Sequence, residues 1–537
     1  MAPTIHPIFV NLAVFLGAIW AISQVFKSAR RRSKTTPLGG PTRPSFFFGV
    51  SKYLAASKDG SLILEKWAEE HGPTFYIPTA LGSSELVITD PKAISHIYSN
   101  DTYGYIQTGF MRLFFEMLVG KGVIWAEHDN HKRQRKMLTP AFSNSAIRNL
   151  SPLFTDSAYK IRDAWDGLLE QSGEAVIDVQ AWMNKVSLDS VGIAGFSHDF
   201  GTLEGKQSDI ADIFDDFGRH KPSFVQMLVF VLSAVFPVVG RLPTARNRLI
   251  QGFAQTTQRV SRSLLEKTRK DNSVAVGSKG DKSVIGILIK ASDESSELNI
   301  SDEEAIAQVK VLILAGYETT SISLTWTLLE LAKKQGLQQK LRNELLTVFG
   351  GGGDPTYDQL NSANSLPYLD AVVHETLRLH APLWFTTRVS TVDDIIPLSA
   401  PIKTINGQTV DRISIAAGQA VQVPIRMINR SDNIWGVDAK EYKPERWLDE
   451  AGLPAKAQEI QGHRHLLTFA DGPRACLGKS FALTEFKAVL SVLIRNYTFE
   501  LPDGPDTEFD LGRGILPRPK VAGEEGCRLP LRVRRVE

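Results

Sequence analysis

The residues best placed to do chemistry surround Cys476, one of two cysteines in this chain of 537 residues. Apolar residues at helical spacing follow it directly and predict a helix over 479–494. A cysteine at the start of a helix lies near the positive end of the helix dipole and near unpaired N–H groups, which favour the thiolate. Gly472 and Gly478 leave room for a flat, bulky group, and Arg474 offers a cation to an anionic part of it.

A thiolate between glycines and close to an arginine suits a haem with an axial cysteine ligand and ionised propionates. The alternative is a buried, inert cysteine in a glycine-containing loop, which is the commoner role of a lone cysteine. The pattern Phe469-x-x-Gly472-x-Arg474-x-Cys476-x-Gly478 favours the haem. It resembles the haem-binding signature of the cytochrome P450 family at every fixed position, and this resemblance implies that Cys476 is the axial ligand of the iron.

Bulk composition is that of a globular protein. A hydrophobic fraction of 43% can fill a sizeable core, and the length allows either several domains or one large enzyme domain. The net charge of +2 gives no indication of nucleic-acid binding. Two cysteines cannot form a disulfide framework, which is typical of a protein kept in a reducing compartment.

The amino-terminal segment has the composition of a membrane anchor. Residues 8–26 carry no charge and, as a helix, would span roughly 28 Å, close to the thickness of one hydrocarbon core. Basic residues follow at once, from Lys27 to Lys34, whereas a cleaved signal peptide has its basic residues before the apolar core. The sequence therefore predicts a single-pass anchor and basic flank over 1–36, with a catalytic domain over 37–537 that faces the cytoplasm. The family resemblance implies the endoplasmic reticulum membrane.

Three further stretches are predicted to connect elements or to touch the membrane. Residues 37–44 contain three prolines and predict a stiff hinge, as the family has after its anchor. Residues 224–239 are apolar and interrupted by Pro237, which indicates a core helix or, by resemblance, a lipid-dipping substrate-entry region. Residues 267–282 are polar and contain glycine, so we expect a mobile loop.

A basic helix is predicted after residue 122. His131 and Arg135 are four residues apart and share one face of it. By itself the pattern also suits a solvated basic helix. It resembles the family helix in which an aromatic residue and an arginine, four apart, bind the haem propionates, although His131 stands where tryptophan is commonest. Lys132, Arg133 and Lys136 could meet an acidic redox partner.

A long helix of about thirty residues is predicted in the middle of the chain. Ser301 and Glu304 have the spacing of a capping box at its start, and Gly336 could terminate it. A helix of this length would cross a whole domain.

An acid and a hydroxyl stand side by side midway along this helix, at Glu318 and Thr319. The Thr319 hydroxyl can bond the Ala315 carbonyl, and Gly316 removes side-chain bulk, so water can enter there. An acid beside a hydroxyl in an apolar helix can relay protons; the alternative is a kink with an exposed glutamate. The run resembles the central-helix motif of the family, which implies that Thr319 stabilises bound dioxygen and that Glu318 supplies protons.

Glu375 and Arg378 are three residues apart on a predicted helix, and exposed pairs of this kind are frequent and weak. They match the Glu-x-x-Arg pair of the family, whose buried structural triad Arg446 would complete. Arg388 matches a further propionate contact of the family, and the residues before it, 384–387, would line the pocket above the haem.

Short strands are predicted at 74–77 and 85–89, after a helix over 61–71. Residues 413–418 and 421–425 are predicted to form a hairpin with its turn near Gly418. By resemblance, residues 514–517 supply a last wall of the pocket.

The resemblance covers essentially the whole chain outside the anchor and implies a mainly α fold with a small β domain (α+β). It implies one b-type haem and the insertion of one oxygen atom from O₂ into a substrate. Electrons would come from NADPH through a separate diflavin NADPH–cytochrome P450 reductase, with cytochrome b5 as an optional second donor, because no part of the chain resembles a fused flavin domain.

Two other functions remain open at this point. One is a haem-thiolate isomerase or dehydratase without O₂ activation, and the other is a non-catalytic haem sensor or carrier. Glu318 and Thr319 argue against both, because neither function requires a proton relay.

The substrate is predicted to be lipophilic because many candidate pocket residues are apolar. The similarity to fungal members of secondary metabolism suggests a terpenoid-like compound, with a xenobiotic or a fatty acid as the alternative. The candidate pocket residues are Phe110, Met111, Phe114, Phe115, Met117, Phe224, Ile313, Leu314, Trp384, Phe385 and Ile515.

Overall fold

A computed structural model describes residues 33–219, 236–274, 283–292, 300–350, 352–524 and 526–536, with a few single positions between 220 and 235. The predicted anchor at 8–26 lies outside the described residues, as do seven of the sixteen positions of the apolar stretch at 224–239. Within the part that is described, no helix is both long and apolar enough to cross a lipid bilayer.

Helices make up most of the regular structure, as the sequence predicts. The α-helices of the described residues are α1 (Ser51–Ala56), α2 (Gly60–His71), α3 (Pro91–Ser99), α4 (Gly109–Val119), α5 (His128–Leu138), α6 (Asn144–Leu169), α7 (Val179–Phe196), α8 (Asp209–Arg219), α9 (Ala245–Val274), α10 (Val284–Ala291), α11 (Asp302–Lys333), α12 (Gln335–Phe349), α13 (Tyr357–Leu360), α14 (Pro367–Leu379), α15 (Ile425–Ile428), α16 (Asp432–Trp435), α17 (Ala455–Gln458) and α18 (Lys479–Asn496).

Short strands contribute a minor β part. In the described residues they are β1 (Thr74–Pro78), β2 (Ser84–Ile88), β3 (Tyr105–Gln107), β4 (Glu174–Asp178), β5 (Thr386–Ser390), β6 (Asp394–Lys403), β7 (Thr409–Ile415), β8 (Ala420–Val423), β9 (Tyr497–Glu500), β10 (Phe509–Arg513), β11 (Pro517–Val521) and β12 (Pro530–Arg535).

The largest sheet of the described chain has the strand order β1-β2-β8-β5-β3. β2 and β8 run parallel, and the other pairs in this sheet are antiparallel. β12 lies between β4 and β9 in a second sheet, and β6–β7 and β10–β11 are two-stranded. This arrangement of many helices with small sheets confirms the α+β prediction.

The predicted hairpin of 413–418 with 421–425 is wrong. β7 pairs with β6, whereas β8 lies between β2 and β5 in another sheet. Gly418 does turn the chain, with φ at +80°. The prediction fails because the strand-like pattern on both sides of Gly418 shows where strands lie but not which strands they pair with.

α11 is the predicted long helix and has 32 residues. The Ser301 hydroxyl accepts the Glu304 N–H at 3.2 Å. The Glu304 carboxylate binds Arg133 at 2.6 Å, so the expected return of this side chain to the cap is not observed. Gly336 does not terminate the helix, because α11 ends at Lys333 and the chain re-enters a helix at Gln335, which places Gly336 inside α12.

Close helix packing positions the two segments that carry the candidate chemistry. α11 packs closely on α7 because Gly316 has no side chain: a Cβ there would lie 2.7 Å from a methyl carbon of Val191. α18 packs on α6, where the rings of Phe154 and Phe481 are 4.8 Å apart. A large cavity lies between α11 and the loop that precedes α18.

Two predicted connecting segments are more ordered than expected. The first part of the predicted loop at 267–282 belongs to α9, which continues to Val274; residues 275–282 lie outside the described residues. In the proline-rich segment at 37–44, the Gly39 carbonyl accepts the Tyr76 N–H at 2.9 Å. The Pro37 carbonyl accepts the Ile405 N–H at 3.1 Å. Hydrogen bonds to β1 and to the turn between β6 and β7, as well as its prolines, therefore fix this segment.

Candidate active site

Cys476 lies in a loop that its own backbone closes. The loop contains a 3₁₀ turn, Gly472–Arg474, and leads into α18. The Cys476 N–H donates to the Phe469 carbonyl at 2.8 Å, and the Ala475 N–H donates to the Gly472 carbonyl at 3.0 Å. These bonds hold Cys476 at the edge of the cavity, which Phe469 also lines.

The two glycines of the loop differ in what they permit. Gly472 has φ at +69°, and a Cβ there would lie 2.2 Å from the Tyr98 carbonyl oxygen. Gly472 therefore lets the loop approach α3, and the expectation that it makes room for a cofactor is wrong. At Gly478 a Cβ would meet only Phe142, at 3.9 Å, so space does remain on that side.

The Cys476 thiol is exposed to the cavity, although protein encloses the cavity around it. Burial raises the pKa of this thiol, while the Gly478 N–H, Arg135 and Lys479 act in the opposite direction. The start of α18 thus favours the thiolate as expected, while burial has the larger effect on the pKa of the free thiol. A metal cation bound at the sulfur would reverse the balance, because a coordinating thiol is deprotonated.

Basic side chains from two distant elements line the cavity near Cys476. His131 and Arg135 come from α5, and Arg388 comes from β5. His131 Nδ1 and Arg388 Nε are buried and have no hydrogen-bond partner among the described residues. Burial, together with nearby arginines, lowers the pKa of His131 to about 4. Buried donors without acceptors and several cations in one place suit the two carboxylates of a haem.

Arg474 lines the same cavity but is already bonded within the protein. Its guanidinium donates to the Asp101 carbonyl at 3.1 Å, to the Ala126 carbonyl at 3.0 Å and to the Glu127 carboxylate. Glu127 therefore neutralises much of the charge that the sequence predicts Arg474 to offer to a bound anion. Sequence reasoning missed Glu127, because no local spacing connects it to residue 474.

Asp101 is a second acidic residue that the sequence did not single out. It is fully buried beside Arg388 and Arg474, and neither carboxylate oxygen has a hydrogen-bond partner in the described structure. Burial raises the pKa of Asp101 to about 7 despite these arginines. A protonated Asp101 would leave the cationic character of this wall largely intact.

Thr319 and Glu318 occupy neighbouring positions in α11 but point in different directions, since consecutive helical residues are about 100° apart. Thr319 lines the cavity, and its hydroxyl donates to the Ala315 carbonyl at 2.7 Å, as predicted. Glu318 is fully buried and forms an ion pair with Arg518 of β11. The alternative of an exposed glutamate is wrong, and the acid and the hydroxyl do not contact each other directly.

A cavity of about 2270 Å³ extends from Cys476 across α11 to α4, α9 and the segment at 514–517. Of the predicted pocket residues, Ile313 packs in the core and Met117 is absent from the lining, while Phe224 lies outside the described residues. Arg246 of α9 also lines the cavity and was not predicted. The predicted residues that line the cavity are Phe110, Met111, Phe114, Phe115, Leu314, Trp384, Phe385 and Ile515.

Comparison with known proteins identifies the family. The family model described as cytochrome P450 matches residues 38–522. The chain belongs to the cytochrome P450 family. It is 54% identical over 530 residues to the cytochrome P450 monooxygenases claP and claQ of Ampulloclitocybe clavipes, covering 98% of this chain and of each relative. It is 34% identical over 548 residues to cytochrome P450 monooxygenase 205 of Postia placenta, with 98% of both chains covered.

This P450 is a monooxygenase that uses haem b, and a separate reductase supplies its electrons. The haem, held by a cysteine thiolate, supplies the activation of O₂ that no side chain can perform. The residues around the cavity fit it: the exposed thiol of Cys476, a wall of cations and two buried nitrogens that lack a hydrogen-bond partner among the described residues.

The predicted structural triad of the P450 is assembled. Both oxygens of the Glu375 carboxylate accept hydrogen bonds from Arg378, at 2.7 and 2.8 Å, and neither side chain is exposed. Arg446 lies 3.6 Å from Glu375 and makes its hydrogen bonds elsewhere, including one of 3.0 Å to the Asp438 carbonyl. The Trp447 indole donates to Glu375 at 2.9 Å, so a tryptophan that the sequence did not single out completes the site.

Proposed function

We propose that this P450 oxidises lipophilic, terpenoid-like compounds in fungal secondary metabolism. The observation that carries the proposal is the large cavity beside Cys476, whose walls are mainly aromatic and aliphatic. Such a cavity favours an apolar substrate with few polar groups. Five cytochrome P450 monooxygenases of Ampulloclitocybe clavipes are each 52–54% identical to this chain, and their names share the prefix cla. The shared prefix supports a common biosynthetic role for these relatives.

The proposed haem site uses Cys476 as the ligand of the iron. The buried donors of His131 and Arg388, with Arg135, would bind the propionates. Arg474 would also contribute to the haem site from its position in the loop, although Glu127 neutralises part of its charge. Phe469, Gly472 and Gly478 would shape the loop around the ligand.

Thr319 and Glu318 are the proposed residues for proton handling. The Thr319 hydroxyl faces the cavity, where it can hold an oxygen ligand or a water molecule. Glu318 can supply a proton after its side chain turns from Arg518 or through an intervening water. Glu375, Arg378 and Arg446 are proposed to be structural.

The proposed location is the endoplasmic reticulum membrane, with residues 1–36 as anchor and flank and 37–537 as the cytoplasmic catalytic domain. The apolar composition of 8–26 supports this. NADPH–cytochrome P450 reductase is the proposed electron donor, with cytochrome b5 as a second. Lys132 and Lys136 are exposed on α5 and would contact an acidic partner, whereas Arg133 is bonded to Glu304.

Membrane attachment can be tested with a chain that starts at residue 33. We expect the full chain to remain in carbonate-washed membranes and the shortened chain to be released in larger part. Equal retention of both forms would contradict an anchor at 8–26.

The substrate class can be tested with microsomes that contain the P450 and its reductase. Farnesol, lauric acid and 7-ethoxycoumarin would represent a terpenoid, a fatty acid and a xenobiotic, with ¹⁸O₂ as the oxygen source. We expect the fastest ¹⁸O incorporation into farnesol. Faster oxidation of lauric acid or of the coumarin would replace the terpenoid proposal with the corresponding alternative.

A further inference from the structure

The counter-ion of Glu318 comes from the C-terminal hairpin β10–β11. Arg518 is 3% exposed and Glu318 is 0% exposed, and one guanidinium nitrogen, Nη2, binds one carboxylate oxygen, Oε1. The Leu516 N–H donates a further hydrogen bond to the same carboxylate. Arg518 and the Leu516 N–H therefore hold the Glu318 carboxylate, while the Thr319 hydroxyl is bonded to the Ala315 carbonyl.

The same short segment is a wall of the substrate cavity. Ile515, Leu516 and Pro517 all line the cavity, and Arg518 is the next residue. A substrate that presses on this wall would therefore move the backbone that bonds Glu318 and carries Arg518. The contact at Ile515–Pro517 is thus next to Arg518, which binds the Glu318 carboxylate.

The Glu318–Arg518 pair is also less tightly fixed than the buried Glu375–Arg378 pair. Arg378 binds Glu375 through two nitrogens and both oxygens, a bidentate geometry that resists separation. In the Glu318–Arg518 pair, Glu318 Oε2 and Arg518 Nε have no hydrogen-bond partner among the described residues. A pair joined at one point separates at lower cost than a bidentate pair, although the charge of each partner must then be neutralised or solvated.

We propose that Arg518 is a positioning residue that retains Glu318 at the hairpin, and that substrate contact with Ile515–Pro517 releases the acid for proton delivery. The proposal rests on the proposed oxidation of a lipophilic substrate. The released Glu318 carboxylic acid gives its proton to a water molecule in the cavity and becomes a carboxylate, which then pairs with Arg518 again. A proton from solvent then restores the acid.

The protonation state of Glu318 agrees with this function. Burial raises the pKa of Glu318 to about 7, against the opposing effects of Arg518 and the Leu516 N–H. The other titratable groups nearby are Tyr317 on the same helix and Cys527 in the C-terminal segment. Asp215 of α8 faces both of these groups.

The test is an infrared pH titration of the Glu318 carboxyl band in the purified holoprotein, with the band assigned by its loss in Glu318→Gln. We expect Arg518→Met to raise the midpoint by about 1–3 pH units, because a neighbouring opposite charge is removed. Arg518→Lys should restore most of the original midpoint. Arg534→Met, which removes a surface arginine bonded to Glu174 and Glu500, should leave the midpoint unchanged.

The link to the cavity wall is tested in the same titration with two haem ligands of different size. Clotrimazole, a bulky lipophilic azole, should shift the Glu318 midpoint, whereas imidazole should not. Ile515→Ala should reduce the clotrimazole shift while Arg518 remains in place. An unchanged midpoint in Arg518→Met, or equal midpoints with both ligands, would overturn the proposal.

These measurements do not require turnover, so they are independent of the substrate class. If farnesol is not oxidised but the Glu318 midpoint shifts as expected, only the proposed substrate class is contradicted. If Arg518→Met does not fold, the comparison of clotrimazole with imidazole in the parent chain and in Ile515→Ala still decides the outcome.

Discussion

The Thr319 hydroxyl lies 2.7 Å from the Ala315 carbonyl oxygen, one turn earlier in α11. Since the hydroxyl donates its hydrogen to this carbonyl, its oxygen lone pairs remain available on the cavity side. Thr319 can therefore accept a hydrogen bond from a protonated ligand or a water molecule in the cavity. This geometry makes Thr319 an acceptor that a helix carbonyl keeps in place.

Thr319→Ala should keep the fold and the haem but lower the product formed per NADPH, with hydrogen peroxide as the main alternative product. The reason is that a protonated oxygen ligand loses its acceptor. Thr325→Ala is the matched control, because Thr325 makes the same type of bond, 2.7 Å to the Ser321 carbonyl, in the buried core. Peroxide and product yields measure the effect. Full coupling in Thr319→Ala would exclude the proposed role.

Cys476→Ser should abolish the strongly red-shifted Soret band of the reduced, carbon-monoxide-bound protein, because that band requires a thiolate ligand. Cys527→Ser is the control: it removes the other thiol, which lines the cavity but lies in the C-terminal segment. We expect Cys527→Ser to keep the band. A normal band in Cys476→Ser, or its loss only in Cys527→Ser, would show that the ligand has been assigned wrongly.

Arg388→Met should weaken haem retention about tenfold or more, because a half-buried cation, whose buried Nε has no partner among the described residues, is replaced by an apolar side chain at the proposed propionate site. Haem transfer to apomyoglobin measures the rate of loss. Arg412→Met, which removes an exposed arginine bonded to the adjacent Asp411, is the control and should release haem at the normal rate. Equal rates of haem loss in both variants would show that Arg388 does not bind the haem.

Motifs with short spacing could be predicted because neighbours in the sequence are neighbours in space. The bond from Thr319 to Ala315, the pairing of Glu375 with Arg378 and the shared helix face of His131 and Arg135 all follow from helical periodicity. The boundaries of α2 and α18 also agree closely with the predicted ones.

Contacts between distant segments could not be predicted in the same way. Arg518 and Glu318 are 200 positions apart, and Arg474 and Glu127 are 347 apart. In each case a buried carboxylate pairs with an arginine to which no short spacing in the sequence connects it. The local sequence does not show which arginine pairs with a given carboxylate, because any arginine could do so. The tertiary fold determines the pairing.

Glu375→Gln should destabilise the protein by about 3–5 kcal/mol, since it leaves the buried guanidinium of Arg378 without its carboxylate. Urea unfolding measures this free energy. Asp358→Asn is the control, because it breaks the exposed ion pair with Arg148, which we expect to matter much less. Similar losses in the free energy of unfolding in the two variants would mean that burial does not strengthen the Glu375–Arg378 pair.

Asp370 should make stability depend on pH in the acid range. Its carboxylate lies 2.6 Å from Lys487 and 3.2 Å from Arg464. Burial raises the pKa of Asp370, but His374 and Lys487 outweigh it and hold the pKa well below its usual value. The unfolded chain therefore takes up the proton first as pH falls, so the stabilisation is complete above the unfolded pKa of about 4 and is lost below it.

Asp370→Asn should accordingly cost about 3–5 kcal/mol at pH 7, where a buried pair is broken, and progressively less below about pH 4. Urea midpoints at a series of pH values from 7 downwards measure the difference from the parent chain. Asp163→Asn, at an exposed pair with Arg162, should show a small effect at every pH. A cost for Asp370→Asn that stays constant through the acid range would mean that lost packing, rather than lost charge, destabilises the variant.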